Sequence, residues 1–217
     1  MANKSNYFPR RSSHFKNYGV ILSGRGSLVE GNTEKKLFDY INQKQKGINF
    51  TVKYVGTGEY HEIRKKLEIE LKRNNTYDKI FCIFDGDLIE KGFKNFEDNI
   101  QKMKKFGAEI ICSYRCIENW FLYFFDNFST GSMDSNTVKT RLIKVSNGKY
   151  NSETDFDEEF FYNNLVKANV HAKRIAEEKG YDGKNIINII KLKSEPFTNI
   201  YELFEELQIG YYGTLKI

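Results

Sequence analysis

Apolar positions along this chain switch between two periods, and the switches mark out the elements. Val20-Ile21-Leu22 and Ser27-Leu28-Val29 are short apolar runs on either side of a Ser23-Gly24-Arg25-Gly26 break, and either qualifies as the first strand. From Thr33 to about Lys44, Leu37, Tyr40 and Ile41 fall at helical spacing, with Asn32 or Thr33 as N-cap. Ile48, Phe50, Val52 and Tyr54 then alternate, which predicts a strand. Glu59 to about Arg73 is helical, with Ile63, Leu67 and Leu71 on one stripe. Ile80 to Phe84 is a continuous apolar run, the pattern of a parallel strand buried on both faces. Phe96, Ile100 and Met103 mark another helix, and Glu109-Ile110-Ile111-Cys112 another buried strand. The order β-α-β-α-β-α-β predicts an α/β fold, a central parallel sheet flanked by helices.

Beyond residue 117 the pattern turns helical. Trp120, Phe121, Phe124 and Phe125 form the densest aromatic cluster, read as core before interface because large aromatics dominate cores. Residues 129–155 are polar without clear periodicity, which predicts a loop or a partly disordered insertion. A long helix is expected from about Phe160 to Gly180, ending at a glycine in the C′ position. Ile200, Leu203, Phe204 and Leu207 fall at i, i+3, i+4 and i+7 and predict a last amphipathic helix. The expected organisation is an arm over 1–16, an α/β core over 17–127 and a mostly helical portion over 128–217 packed on that core.

With 217 residues, 40% hydrophobic and 29% charged, the chain has the composition of a soluble globular protein. No apolar run approaches the roughly 18 residues a membrane helix needs, and the N-terminus lacks the apolar stretch of a signal peptide. The expected setting is the cytoplasm, with no membrane partner. Cys82 and Cys112 sit in apolar runs and read as buried thiols; Cys112 and Cys116 have no second pair or nearby His to complete a zinc site.

Charge changes the picture in one place. Residues 1–16 carry Lys4, Arg10, Arg11 and Lys16 and no acid, so they hold four of the five net positive charges. Such an arm suits phosphate contact through Arg10, Arg11 and Lys16, or serves as a solubilising tail. The acidic run Glu153, Asp155, Asp157, Glu158 and Glu159 reads as a solvated first helical turn favoured by the helix dipole.

Sites in open α/β sheets form at the carboxyl ends of strands. Glu30 is expected to end the first strand, and Asp85 and Asp87 end a central one in Phe84-Asp85-Gly86-Asp87. Residues i and i+2 leaving a strand point the same way, so both aspartates can face one cation, and Gly86 permits a tight turn between them. Oxygen-only ligands favour Mg²⁺ or Mn²⁺, which suits phosphodiester chemistry. The competing reading is an ordinary Asp-Gly-Asp turn. A haloacid-dehalogenase motif is not matched, because Leu88-Ile89 follow Asp87 where Gly-Thr is required. Glu118 lies among apolar neighbours in Cys116-Ile117-Glu118-Asn119-Trp120-Phe121. A carboxylate there needs a partner. Backbone amides, an arginine such as Arg115, or a functional role each answer that need. His14, His61 and His171 are isolated and show no ligand spacing.

These same residues carry a resemblance. Val29-Glu30-Gly31-Asn32-Thr33-Glu34, Phe84-Asp85-Gly86-Asp87, Ser113 to Phe121 and Glu195-Pro196-Phe197-Thr198-Asn199-Ile200-Tyr201-Glu202-Leu203 resemble, in order, the motifs of RloB-like proteins. That family is similar to TOPRIM proteins. The resemblance implies a TOPRIM/Rossmann-like fold, with Glu30 as the acid/base or ligand, Asp85 and Asp87 as metal ligands and Glu118 as a further catalytic acid. It implies a Mg²⁺- or Mn²⁺-dependent nuclease acting on DNA or RNA in bacterial anti-phage defence, with a defence-system partner protein. The alternative is a non-catalytic nucleic-acid- or nucleotide-binding regulatory module. Tyr114-Arg115 replaces the family's Asn-Pro, and the glycine break at residues 23–26 interrupts its usual strand before Glu-Gly.

Overall fold

A computed structural model of the chain describes residues 17–23, 33–44, 49–55, 60–73, 77–86, 93–126, 133–152, 155–181, 186–187 and 196–209. Strand and helix alternate through β1 (Asn17–Ser23), α1 (Thr33–Lys44), β2 (Asn49–Val55), α2 (Tyr60–Lys72), β3 (Lys79–Asp85), α3 (Phe93–Lys105) and β4 (Ala108–Tyr114). These four strands run parallel in one sheet. A short strand, Phe197–Thr198, pairs antiparallel with the outer edge of β4. With β5 (Tyr150–Ser152) and β6 (Asp155–Phe156) forming a separate hairpin, that edge strand is β7, and the sheet order is β2-β1-β3-β4-β7.

Helices cover both faces of the sheet, as right-handed crossovers require when strand order reverses beside β1. The apolar run of β3 is buried throughout, from Ile80 to Phe84. On one side Tyr60 of α2, Phe84 and Phe96 of α3 meet edge to face, with ring centroids 4.9–5.7 Å apart. Elsewhere Phe38 of α1 stacks on Phe204 at 5.9 Å, and Trp120 stacks on the same ring at 5.5 Å. The buried stripe of α2 is Tyr60, Ile63, Leu67 and Glu70. Leu71, expected on that stripe, is 37% exposed. The 3.6-residue period carries the stripe from Leu67 to Glu70, and the glutamate is accepted there because Lys66 and Arg73 reach it.

Beyond β4 the chain forms α4 (Glu118–Leu122), a 3-10 turn (Tyr123–Phe125), α5 (Ser135–Val145), the β5–β6 hairpin, α6 (Glu158–Asn163), α7 (Leu165–Glu178) and α8 (Ile200–Leu207). The polar stretch 129–155 therefore holds a helix and a hairpin where a loop was expected. Helix α5 buries only Val138 and Leu142, too few apolar positions to show a period against its polar face. The expected helix from Phe160 to Gly180 is two helices. Asn164 divides them, its side-chain amide donating to the Phe160 carbonyl at 2.8 Å in competition with the regular ladder. The C-terminal glycine holds as expected, with Gly180 at φ +71°. Asp157 caps α6 by accepting from the Phe160 amide at 2.8 Å, and Glu158 and Glu159 fill its first turn. Trp120, Phe121 and Phe124 are buried, so the aromatic cluster is core. At the sheet edge, the buried Asn199 accepts from the Cys112 amide at 2.8 Å and donates to the Ile110 carbonyl at 2.9 Å.

Candidate functional site

The order β2-β1-β3-β4 reverses direction between β1 and β3, and a crevice opens at the carboxyl ends of strands where such a reversal occurs. Leu22 of β1 is level with Ile83 of β3, and Asp85 is level with Ser113 of β4. Asp85, the last residue of β3, thus stands beside the reversal. Its Oδ1 accepts a hydrogen bond from the Ile117 amide at 2.9 Å. That contact fastens the end of β3 to the turn that leaves β4.

Gly86 is required by proximity. A β-carbon there would come within 2.8 Å of Tyr114 Cδ2 and 3.1 Å of Tyr114 Cα. The residue serves the close approach of two chain segments, and its backbone does not occupy the left-handed region that the expected tight turn invoked. The peptide joining Tyr114 to Arg115 is cis, and the Arg115 guanidinium lies 4.7 Å from the Tyr114 ring centroid.

Helix α4 starts directly after this turn, and its first residue is Glu118, only 4% exposed. Lys139 Nζ of α5 lies 3.3 Å from Glu118 Oε1, and the Tyr150 hydroxyl of β5 donates to the same oxygen at 3.4 Å. The sequence offered backbone amides, an arginine such as Arg115 or a functional role for this carboxylate; Lys139 is the cation at this distance. Burial, followed by the negative charges of Glu118 and Asp85, holds the Cys116 thiol well above its ordinary range, so it stays protonated. Cys116 therefore sits within electrostatic reach of both carboxylates, and Asp85 and Glu118 belong to one polar cluster at the carboxyl edge of the sheet.

The other expected site residues divide differently. Glu30, Asp87, Arg10, Arg11 and Lys16 lie outside the described residues. Strand β1, ending at Ser23, contains the first of the two apolar runs offered as the first strand; the second, Ser27-Leu28-Val29, lies with Glu30 outside the described residues. Among the described residues no three His, Cys, Asp or Glu side chains come together as metal ligands, and the three cysteines are buried and form no disulfide. Lys139 and Tyr150 were not anticipated. The sequence offered only a lysine next to the apolar Val138 in a stretch without clear period, which is no signal for a contact across 21 residues of chain.

An α/β sheet with a carboxylate cluster at its carboxyl edge defines a broad class. Within it, the family model described as RloB-like protein matches residues 28–207, and the chain belongs to that family. Neither the curated proteins nor the solved structures contain a match to it. No helix among the described residues is long and apolar enough to cross a membrane.

Proposed function

We propose that this protein is a Mg²⁺- or Mn²⁺-dependent phosphodiesterase of the TOPRIM type that cuts DNA or RNA in the cytoplasm as part of bacterial anti-phage defence. The observation that carries the reading is Asp85: a carboxylate at the end of a central parallel strand, beside the reversal of strand order, anchored through one oxygen. A carboxylate at such a strand end is a hard oxygen ligand of the kind Mg²⁺ and Mn²⁺ take, and the Ile117 amide fixes its orientation. Membership of the RloB-like family adds the motif context of Glu30 and Asp87.

Asp85 and Asp87, with Glu30, would hold the ion. When bound, the ion supplies Lewis-acid stabilisation of the charge that develops on the scissile phosphate. Glu30 would assist by taking a proton from the attacking water. Arg10, Arg11 and Lys16 would hold the nucleic-acid backbone without reading its sequence.

The test is a cleavage assay on labelled plasmid, single-stranded DNA and total tRNA with Mg²⁺, Mn²⁺ or EDTA. Metal-dependent cleavage is expected, lost in Asp85→Ala/Asp87→Ala and in Glu30→Gln while substrate binding is kept. Binding without metal-dependent turnover in the wild type, with or without a co-encoded partner protein, would replace this reading with a regulatory binding module.

A further inference from the structure

Side chains of α5 and β5 converge on Glu118 of α4, the Tyr150 hydroxyl from 32 residues along the chain, and the convergence lies beside the turn that holds Asp85. The contacts run in a series. Lys139 of α5 and the Tyr150 hydroxyl of β5 hold the Glu118 carboxylate at 3.3 and 3.4 Å. Glu118 follows directly on the turn through Cys116 and Ile117, one peptide bond from Ile117. Within that turn the Cys116 carbonyl accepts from Asn119 N at 3.1 Å, and the Ile117 carbonyl accepts from Trp120 N at 2.9 Å. The Ile117 amide is then the group that fixes Asp85 Oδ1.

We propose that Lys139 is a positioning residue for the acidic site: with Tyr150 it fixes Glu118, Glu118 fixes the turn from Cys116 to Ile117, and that turn orients Asp85. This rests on the reading of Asp85 as a metal ligand and goes beyond it. It assigns α5 and the β5–β6 hairpin, which stand outside the sheet, to control of the site's geometry. It also gives Glu118 a different job from the catalytic one the family resemblance implies. Its Oε1 faces Lys139 and Tyr150, and its burial leaves little access for a substrate. Groups that orient a metal ligand through hydrogen bonds typically change metal affinity about 10- to 100-fold when removed.

A purely structural ion pair predicts something else. Breaking it would lower the melting temperature and leave metal binding by the folded protein unchanged. The experiment is therefore Mn²⁺ titration of the full chain, followed by the electron paramagnetic resonance of the free ion, beside melting temperatures. The variants are Lys139→Met, Lys139→Arg and Val138→Ala. Val138 is buried on the same helix and bears no charge, so it reports on loss of packing alone.

The expected result is Mn²⁺ affinity lower by about 10-fold or more in Lys139→Met, most of it restored in Lys139→Arg, and wild-type affinity in Val138→Ala despite a lower melting temperature. Should Lys139→Met not fold, Lys139→Gln, which can still donate to Glu118 but lacks the charge and reach, takes its place with the same expected direction. Wild-type affinity in the Lys139 variants overturns the inference and leaves the metal reading standing. Equal loss in Val138→Ala overturns it too, since packing alone would then account for the effect. A wild-type protein that binds no Mn²⁺ removes the metal reading itself, and the inference with it.

Discussion

Among the described residues two glutamates are buried, one towards each end of the strands, and they are held in opposite ways. Glu70 lies in the second half of α2, towards the amino ends of the strands, because crossover helices run antiparallel to the strands they connect. Glu118 lies at the carboxyl ends. Each has a lysine nitrogen at 3.3 Å. Distance alone would rank the two pairs as equals. The partners of Glu70, Lys66 and Arg73, are within four residues of it, on α2 and the residue that follows it. The partners of Glu118, on α4, come from α5 and β5. A pair within one helix stabilises that helix. A set drawn from three elements makes the geometry of each depend on the others.

That difference sets the largest expected effect. Lys139→Met leaves the 4%-exposed Glu118 without its cation, and removing one partner of a buried pair costs about 3–5 kcal/mol. The lower end is expected, because the Lys139 side chain is itself 35% exposed and the Tyr150 hydroxyl still donates. Urea unfolding of the variant checks this. A cost no larger than that of Lys66→Met would erase the contrast between the two edges.

Next in size is Gly86→Ala. Its β-carbon would press on the backbone and ring of Tyr114, and overpacking of this kind costs about 1–3 kcal/mol. A melting temperature equal to that of the wild type would mean that the two carboxyl-edge segments are free to separate. Lys66→Met should cost less, about 1 kcal/mol, since a second cation, Arg73, remains beside Glu70. Urea unfolding again reads it.

How much of this was legible in the sequence follows from where each partner resides. The strands β3 and β4 announce themselves as near-continuous apolar runs, the mark of strands buried on both faces, and the helix between them does so by its period. Asp85 at the end of such a run was visible for the same reason. The holding of Glu118 was not visible. A buried carboxylate among aromatics signals that a partner exists, but Lys139 and Tyr150 are brought in by a helix with two buried side chains and by a three-residue strand. Neither carries a period long enough to read. The two-residue β7 escaped in the same way. Glu70 shows the converse. Its partners were in plain sight at i−4 and i+3, yet Leu71 was the more tempting occupant of the stripe because hydropathy was weighed ahead of phase.

The smallest expected effect concerns the helix that delivers Lys139. Asp134 caps α5 by accepting from the Thr137 amide at 2.8 Å, and that bond, ahead of other causes, holds its carboxyl below the ordinary 3.8. The unfolded chain therefore binds more protons at this position than the native state does in the acid range. The stability it contributes is present above about 3.8 and is lost as pH falls through the lowered value. Asp134→Asn keeps an oxygen for the cap and does not titrate. Its melting temperature should fall less than that of the wild type between neutral and strongly acidic buffer. Parallel curves would show that the cap's charge contributes nothing.

Asn199 has a consequence for how copies of this protein meet. Its side-chain amide takes up the Cys112 N–H and the Ile110 C=O, the pair of groups that a neighbouring strand's backbone would otherwise satisfy. One planar side chain thus stands in for a peptide unit and extends the two-residue cover that β7 gives to β4. An open strand flank is a template on which another chain can zip itself, and burying that flank removes the template. Any joining of molecules through their sheets is thereby steered away from β4 and towards the opposite margin at β2, which pairs only with β1 among the described residues.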